Sequence, residues 1–273
     1  MPELAEVETI ARQLTDLASA SEDRPLGAKT MDWSLAYPQW TATSLTQFNG
    51  KHLGAVERRG KKLFWSFGDS PEVLVMGLGM TGTFSHGPLA TPVPKHLIFS
   101  VSLADHIIYY SDARHFSKGR TYATMEDAIA GEKQGKDAWT HSWTLKEWGD
   151  VLRSSKPLKA ILLDQGKIGG IGNYLADEIC YDAKLSPLRS ANSLTKNDME
   201  RLNTSLRKII GLALQHRGAT FRNYRDIEDR RGAMARTFQV YGRKGQKCNA
   251  CASDLVTTEV AGRTTVYCPS CQS

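Results

Sequence analysis

The chain has 273 residues, which is enough for two ordinary domains or one large one. Hydrophobic residues make up 41% of it and charged residues 23%, a balance that excludes a disordered protein and indicates a soluble globular one. There is no run of 18 apolar residues, and no basic segment followed by an apolar stretch at the start, so neither a membrane span nor a secretory signal is expected.

The net charge of +6, with an isoelectric point near 9.0, is unevenly distributed. Residues 201–247 contain twelve lysines and arginines but only three acids. Such a concentration favours a polyanionic partner, with a phosphodiester backbone as the main candidate. The alternative is a soluble protein that is merely basic.

The N-terminal half of the chain predicts one helix followed by short strands. Residues 3–20 repeat apolar side chains at helical spacing, beginning with Leu4 and Val7. The predicted strands, which are short and rich in β-branched or aromatic residues, are 63–67, 73–76, 97–103 and 107–110. They predict a sandwich or a barrel, and three glycines between positions 77 and 82 indicate a bend or a close backbone approach.

The sequence changes character at residues 129–142, which are polar and contain glycines, and a domain boundary is expected there. Thr144 and Glu147 then have the spacing of a helix capping box. The further predicted helices are 158–165, 174–183 and 196–217. A glycine-rich link that ends in Gly172 and Asn173 joins the first two of these. It could turn backbone N–H groups toward a phosphate, although a plain interhelical turn has the same pattern.

Four of the five cysteines lie in the last 26 residues as two Cys-x-x-Cys pairs, Cys248/Cys251 and Cys268/Cys271, separated by 16 residues. This spacing predicts one structural zinc ion held by four thiolates, with a β-hairpin between the pairs. Two disulfides are the alternative. Cys180 stands alone and is most simply a small buried hydrophobic residue.

The chain begins Met1-Pro2-Glu3, and a small second residue usually permits removal of the initiator methionine. Pro2 would then carry a secondary amine, part of which is neutral at pH 7. Attack of that amine on a sugar carbon gives an iminium ion, which can act as an electron sink for elimination. The same three residues are also a common and uninformative start.

Together these segments resemble the formamidopyrimidine-DNA glycosylase and endonuclease VIII family, nearly from end to end. The segments that carry the resemblance are residues 2–9 (Pro-Glu-Leu-Ala-Glu-Val-Glu-Thr), 58–61 (Arg-Arg-Gly-Lys), 78–82 (Leu-Gly-Met-Thr-Gly), 112–116 (Asp-Ala-Arg-His-Phe), 162–173 and 240–245. The opening segment favours the formamidopyrimidine branch.

The resemblance implies an α+β fold class: an N-terminal β-sandwich with a leading helix, and a C-terminal helix–two-turn–helix domain with a zinc β-hairpin. The expected domains are a catalytic β-sandwich over residues 1–135, a DNA-binding domain over 144–230 and a zinc-finger hairpin over 238–273. DNA is expected between the domains, with the damaged nucleotide flipped out of the duplex.

The resemblance also implies an activity, the excision of oxidised bases, with purines expected, followed by β,δ-elimination at the abasic site. Pro2 would be the Schiff-base nucleophile and Glu3 the general acid. Lys61 would assist β-elimination, and Arg263 would assist δ-elimination.

The expected partner is double-stranded DNA that contains oxidised bases or abasic sites, bound by a monomer in the cytoplasm, at the nucleoid if the source is bacterial. The residues expected to contact DNA are His96, Arg114, Lys159 and Asn173. Those expected to fill the space left by the flipped nucleotide are Met80, Arg114 and Phe116. Taken singly, Met80 and Phe116 fit sandwich core better than a wedge.

Three departures from the family pattern bear on activity and lesion preference. Ala5 replaces a proline, and His115 replaces an arginine. Residues 230–235 replace the stretch that helps to cover the flipped base in 8-oxoguanine-type enzymes. The main alternative function is a zinc-ribbon protein that binds lesions or nucleic acid without catalysis.

Overall fold

The computed structural model describes residues 2–19, 30–68, 70–103 and 106–273, which fall into two compact units. The first unit comprises Met1–Lys133 and Arg217–Gly232, and the second comprises Gln134–His216 and Ala233–Ser273. Residues 217–230, expected within the DNA-binding domain over 144–230, lie in the first unit. They pack with the first unit because backbone N–H groups of Ala219 and Ile227 donate to side chains of the first helix.

The first unit begins with helix α1 (Leu4–Ser19), close to the predicted 3–20, of which Ala20 lies outside the described residues. Its strands are β1 (Thr30–Leu35), β2 (Leu53–Arg59), β3 (Lys62–Phe67), β4 (Ser70–Gly77), β5 (Gly82–Pro88), β6 (Leu97–Leu103), β7 (His106–Asp112) and β8 (Lys118–Tyr122). Helix α2 (Met125–Glu132) follows them, with Thr124 as its N-cap.

These strands form two four-stranded antiparallel sheets, with strand orders β1-β6-β7-β5 and β2-β3-β4-β8. Aromatic side chains from both sheets meet in one core: the ring centroids of Trp33 and Trp65 lie 5.8 Å apart, and those of Trp65 and Phe84 lie 5.9 Å apart. The apolar face of α1 joins the same core through Val7, Ile10 and Leu14. The predicted β-sandwich with a leading helix is therefore confirmed.

Four of the eight strands, β1, β2, β5 and β8, were not predicted. The sequences of β2, β5 and β8 lack a strong apolar alternation, whereas β1 has one in Met31, Trp33 and Leu35 that was missed. β5 contains two glycines and pairs with β7 along its whole length. β8 is polar except for Tyr122, and Gly119 lets its backbone lie against Trp40, where a β-carbon would be 2.3 Å from the ring. Tertiary pairing rather than local propensity makes these strands.

The second unit contains the predicted helical segments. Its elements are β9 (Lys136–Asp137), α3 (Leu145–Val151), α4 (Leu158–Leu163), β10 (Ile168–Gly169), α5 (Asn173–Asp182), α6 (Lys196–Gln215) and the hairpin β11 (Val256–Val260) and β12 (Arg263–Tyr267). The Thr144/Glu147 capping box is present, with both hydrogen bonds formed. None of the helices in the described residues combines the length and apolarity that a membrane crossing requires.

Candidate active site and nucleic-acid interface

A cavity of about 310 Å³ lies beside the start of α1 in the first unit. Four segments line it: the start of α1, the turn between β4 and β5, the loop after β7, and residues 219–224. It brings Pro2, the predicted nucleophile, together with Met80 and Arg114. These are two of the three residues predicted to fill the space that the flipped nucleotide leaves in the duplex. The volume is in the range of small-ligand sites.

Glu6 holds this cavity together. Its Oε2 accepts a hydrogen bond from the backbone N–H of Glu3 (2.7 Å), and its Oε1 accepts one from that of Ala219 (2.6 Å). Gly218 has a φ of +76°, and a β-carbon there would lie 2.4 Å from the Glu6 carboxylate. Glu6 therefore fixes the position of the Pro2-Glu3 segment relative to residues 217–232.

Glu3, the predicted general acid, is buried next to Pro2. Glu6 appeared at first only within the segment 2–9. Its one signal in the sequence was an acidic residue in the first turn of the predicted helix, one turn after Pro2.

Met80, Arg114 and Phe116 form a continuous projection, which we call the wedge. Nη1 of Arg114 donates to the Met80 sulfur (3.2 Å), and the guanidinium carbon of Arg114 lies 4.3 Å from the centroid of the Phe116 ring. Met80 is 46% exposed and Phe116 is 56% exposed. Neither apolar side chain is sandwich core, and exposed apolar groups of this size indicate a contact surface.

Asp112 is the residue that shapes the wedge. Its buried carboxylate accepts hydrogen bonds from the Thr81 hydroxyl and from the backbone N–H groups of Arg114 and Ser117. Burial acts to raise the pKa of this carboxyl, but these hydrogen bonds outweigh it, and the pKa is lowered from its ordinary value. In the sequence Asp112 stands out only as part of the 112–116 motif, because its hydrogen bond with Thr81 joins segments that are distant in sequence.

Lys61 lies in the tight turn between β2 and β3, beside Gly60, whose φ is +59°. The turn is anchored by Arg58, whose buried guanidinium donates to Glu8 of α1 (2.7 Å) and to the Gly60 carbonyl (3.0 Å). Lys61 is half-buried and is not among the described residues that line the Pro2 cavity. The backbone of the turn is therefore fixed in position, and only the length of the Lys61 side chain could bring its ammonium group to the Pro2 cavity.

His96 lies in the turn before β6 and has a φ of +58°. Its carbonyl accepts the backbone N–H of Asp112 (3.0 Å), so its backbone supports the segment that carries the wedge. The imidazole is exposed and does not line the Pro2 cavity in the described part of the chain.

Arg263 is exposed at the tip of the β11–β12 hairpin in the second unit. Ala261 and Gly262, with φ of +51° and +70°, make the tight turn before it. Asn173, the first residue of α5, donates from Nδ2 to the Thr264 carbonyl (3.1 Å), whereas its Oδ1 has no hydrogen-bond partner among the described residues. Within this unit, Arg263 and Asn173 are therefore brought together.

The expectation that Lys159 contacts DNA is wrong in this structure. The Lys159 side chain is 0% exposed; its ammonium group forms an ion pair with Asp177 at 2.6 Å and donates to the Thr264 carbonyl (3.0 Å) and the Thr265 hydroxyl (2.8 Å). Asp177 also accepts the backbone N–H of Val266 (3.2 Å). The pair therefore clamps strand β12 directly after Arg263 instead of facing a phosphate.

The four tail cysteines converge as predicted. Their sulfur atoms all lie within 4.8 Å of one another, with 3.5 Å between Cys251 and Cys268 and 3.9 Å between Cys248 and Cys271. Four thiolates around a zinc ion at about 2.3 Å would be about 3.8 Å apart, whereas a disulfide requires about 2.05 Å. The donor set fits one structural zinc ion and excludes the disulfide alternative.

Helix α5 supports this zinc module. The Tyr181 hydroxyl lies 3.3 Å from the Cys248 sulfur, and the buried Glu178 carboxylate accepts three consecutive backbone N–H groups, those of residues 239–241. Burial raises the pKa of Glu178 against the effect of these hydrogen bonds. Together with Asp177, these side chains make α5 the support for the Arg263 hairpin, which helical periodicity alone did not reveal.

The departures from the family pattern have local explanations. Ala5 is fully buried in α1, where it continues the helix. His115 has a φ of +53° and packs against Tyr37, with ring centroids 4.2 Å apart. Arg230 is held by Asp226, which accepts both its backbone N–H (2.8 Å) and its Nε (2.9 Å).

Comparison with known protein families gives three matches. Residues 1–119 match the family described as "Formamidopyrimidine-DNA glycosylase N-terminal domain", residues 134–224 match "Formamidopyrimidine-DNA glycosylase H2TH domain", and residues 245–273 match "Zinc finger found in FPG and IleRS". Together these matches extend over both units of the chain.

Among individual proteins, the formamidopyrimidine-DNA glycosylase of Carboxydothermus hydrogenoformans is 36% identical over 277 residues, covering 100% of both chains. A solved complex between the Lactococcus lactis Fpg and an abasic site containing DNA has a TM-score of 0.87 at 30% identity, covering 99% of each chain. A complex of the same L. lactis protein with an oxidized pyrimidine containing DNA has a TM-score of 0.86, at the same identity and coverage.

Proposed function

Because the chain belongs to the formamidopyrimidine-DNA glycosylase family, as its sequence motifs predicted, we propose that it is a bifunctional DNA glycosylase and AP lyase of base excision repair. Its substrates are oxidised purines, such as formamidopyrimidines or 8-oxoguanine, in double-stranded DNA. The observation that carries the proposal is the cavity that places Pro2 beside Met80 and Arg114. A non-catalytic zinc-ribbon protein would account for the cysteines and the charge but not for this arrangement.

In this mechanism, Pro2 carries a free secondary amine after Met1 is removed. The proline nitrogen forms a bond to C1′ of the flipped nucleotide, the bond from C1′ to the base breaks, and Glu3 supplies a proton as the base leaves. The bond from C1′ to the ring oxygen O4′ then breaks, O4′ takes up a proton, and the opened sugar is an iminium ion. Loss of a proton from C2′ expels the 3′ phosphate, a second elimination expels the 5′ phosphate, and water releases Pro2.

The remaining site residues have supporting roles. Lys61 assists the β-elimination and Arg263 the δ-elimination, each through its positive charge near a leaving phosphate. Asn173 and Arg263 hold phosphates around the lesion, with Asn173 contributing the N-terminus of α5. His96 contributes a further phosphate contact from its exposed position. The zinc ion is structural and takes no part in the chemistry.

The wedge offsets the loss of stacking and pairing when the nucleotide leaves the duplex, which costs a few kcal/mol. Two of its members, Met80 and Arg114, line the cavity that would receive the nucleotide. The insertion of the wedge into the duplex and the binding of the flipped nucleotide therefore take place side by side. We propose that the protein acts as a monomer in the cytoplasm, at the nucleoid in a bacterium.

Borohydride trapping tests the function. Incubation with a duplex that contains 8-oxoguanine, in the presence of borohydride, should reduce the iminium ion and give a covalent protein–DNA species on a denaturing gel. Peptide mapping should place the adduct on Pro2. Pro2→Gly retains a primary amine and should retain partial trapping.

A chain with one extra N-terminal residue is the matched control, because it has the same side chains but a displaced amine. It should give no trapped species. Undiminished trapping by this control would move the nucleophile elsewhere, with Lys61 as the first candidate, and the complete absence of trapping by the wild type would refute the proposed function.

A further inference from the structure

A second cavity, of about 390 Å³, lies in the first unit on the side of the wedge where Phe116 projects. Its lining comes from the edge of strands β4 and β8 and from the end of α2. In the described part of the chain it shares no lining residue with the Pro2 cavity, although Gly79 and Phe116 of one lie next to Met80 and Arg114 of the other. The wedge therefore separates two concave surfaces.

The second cavity is strongly basic, and we call it the basic groove. Four cations line it, against one described carboxylate, that of Glu132. The cations are Lys62, Lys118, Arg120 and Lys133. A concave surface with an excess of three positive charges concentrates field lines and attracts a polyanion.

The basic groove is held in place by its own hydrogen bonds. Glu132 forms an ion pair with Lys62 and accepts from the Tyr122 hydroxyl (2.8 Å), while Nη1 of Arg120 donates to the same hydroxyl (3.2 Å). These bonds occupy part of the donor capacity of Lys62 and Arg120, and Lys118 donates to the Gln39 carbonyl (3.4 Å). Lys118 and Arg120 are both exposed. Their charges are therefore oriented but available to an anion.

We propose that the basic groove binds the phosphodiester backbone of the DNA strand opposite the lesion. The proposal rests on the proposed function, because the position of Pro2 as the nucleophile decides which DNA strand lies on which side of the wedge. The flipped nucleotide enters the cavity of Pro2, Met80 and Arg114, so the lesion strand lies on that side of the wedge. Phe116, on the other side of Arg114, then faces the opposite strand, and the groove begins directly at Phe116.

The shape of the groove supports a backbone ligand. Gly77 lines it in strand β4, and a β-carbon at Gly77 would have no atom within 4 Å. The floor at this point is bare main chain with open space above it. This part of the floor admits a sugar–phosphate chain, and the cations around it fit phosphates, so the contact should be independent of sequence.

The test compares the wild type with Lys118→Ala/Arg120→Ala on a stable abasic-site analogue, in duplex and in single-stranded form. Loss of two phosphate contacts should lower the slope of log affinity against log salt by about 1.8 for the duplex. The advantage of the wild type over the variant should consequently shrink by about 12-fold between 50 and 200 mM salt. Affinity for the single strand should be unchanged.

Arg12→Ala is the control, since it also removes an exposed cation of the first unit, but from helix α1, outside the groove and the expected DNA-binding domain. It should match the wild type on both substrates. If Lys118→Ala/Arg120→Ala lost affinity equally for duplex and single strand, the groove would belong to the lesion strand and the proposal would be overturned. An unchanged slope of log affinity against log salt for the duplex would also overturn it.

Gly77→Val provides a second variant that keeps every cation. It adds a β-branched side chain, which strands accept well, into the open space of the groove. The affinity of this variant for the duplex should fall, while its borohydride trapping on a single-stranded abasic site should persist. If the variant binds the duplex as tightly as the wild type does, the proposal is overturned. Trapping by the wild type reports on the proposed function separately, so failure of the two ideas can be told apart.

Discussion

Replacing Lys159 with methionine should destabilise the protein without changing the electrostatics of DNA binding. Methionine keeps much of the side-chain volume but removes the charge, so it leaves Asp177 buried and without its counter-ion. Breaking a buried ion pair by removing one partner typically costs about 3–5 kcal/mol. With a total free energy of unfolding of about 5–15 kcal/mol, that is a large fraction of the stability.

The chain contains its own control. Lys208 and Asp182 form an ion pair at the same distance, 2.6 Å, but the Lys208 side chain is 64% exposed. An exposed pair contributes about 1 kcal/mol or less, so Lys208→Met should be nearly neutral. The two substitutions thus separate the effect of burial from the effect of the ion pair itself.

Urea unfolding at pH 8 would measure both free energies. The deficit of Lys159→Met should shrink as the pH is lowered from 8 toward 6. Burial already raises the pKa of Asp177 to about 6 in the wild type, against the opposing effect of Lys159, and removing Lys159 raises it further. The variant therefore takes up the neutralising proton at a higher pH than the wild type does. Lys159→Met/Asp177→Asn should recover most of the loss.

The salt dependence of duplex binding by Lys159→Met supplies the refuting result. A residue that contacts a phosphate would lower the slope by about one unit on removal. A variant of wild-type stability with such a reduced slope would show that Lys159 faces the DNA, contrary to the clamp described above.

Three further substitutions test other parts of the site. Cys268→Ser should lower zinc content well below one ion per chain by elemental analysis and weaken DNA binding, because the hairpin that carries Arg263 loses its metal; full zinc occupancy would contradict the assignment. Met80→Ala should slow excision from a duplex more than cleavage of a preformed abasic site, and equal losses in a folded variant would argue against a wedge. Asp112→Asn should reduce the free energy of unfolding at pH 7 by about 1–3 kcal/mol. Since the wild-type carboxyl has a lowered pKa in the folded state, its contribution is present above about pH 4 and is lost as the pH falls further, so the difference between the two proteins should vanish in acid; a constant difference would refute the role given to the charge.

The features that sequence predicted well are local ones. The spacing of four cysteines determines a zinc site almost by itself, and the capping box at Thr144 forms as expected because both partners lie within one helical turn. The buried helices α4, α5 and α6 were found within two residues of their ends, since apolar side chains recur at helical spacing.

What the sequence could not reveal depends on contacts between distant segments. The family resemblance implied that Lys159 contacts DNA, and only the position of Asp177 one helix later makes the burial of this lysine possible. Glu6 joins separate segments through backbone N–H groups, which have no sequence signature. Asp112 binds N–H groups of its own loop and the Thr81 hydroxyl of a separate turn, a pairing that sequence does not reveal. Strand β8 also depends on a distant segment, because it forms by pairing with β4.

The division of the first unit into two stretches of chain has a consequence for biosynthesis. Arg217–Gly232 is the last part of that unit to be translated, and it supplies both the Ala219 N–H that binds Glu6 and the far wall of the Pro2 cavity. At about 5–20 residues per second, the ribosome needs roughly 10–40 s to travel from the end of α1 to Gly232. Until residues 217–232 are made, the pocket around Pro2 is incomplete. A nascent chain therefore carries the proposed nucleophile long before its pocket forms, and a message truncated before codon 217 should yield a product without the proposed activity.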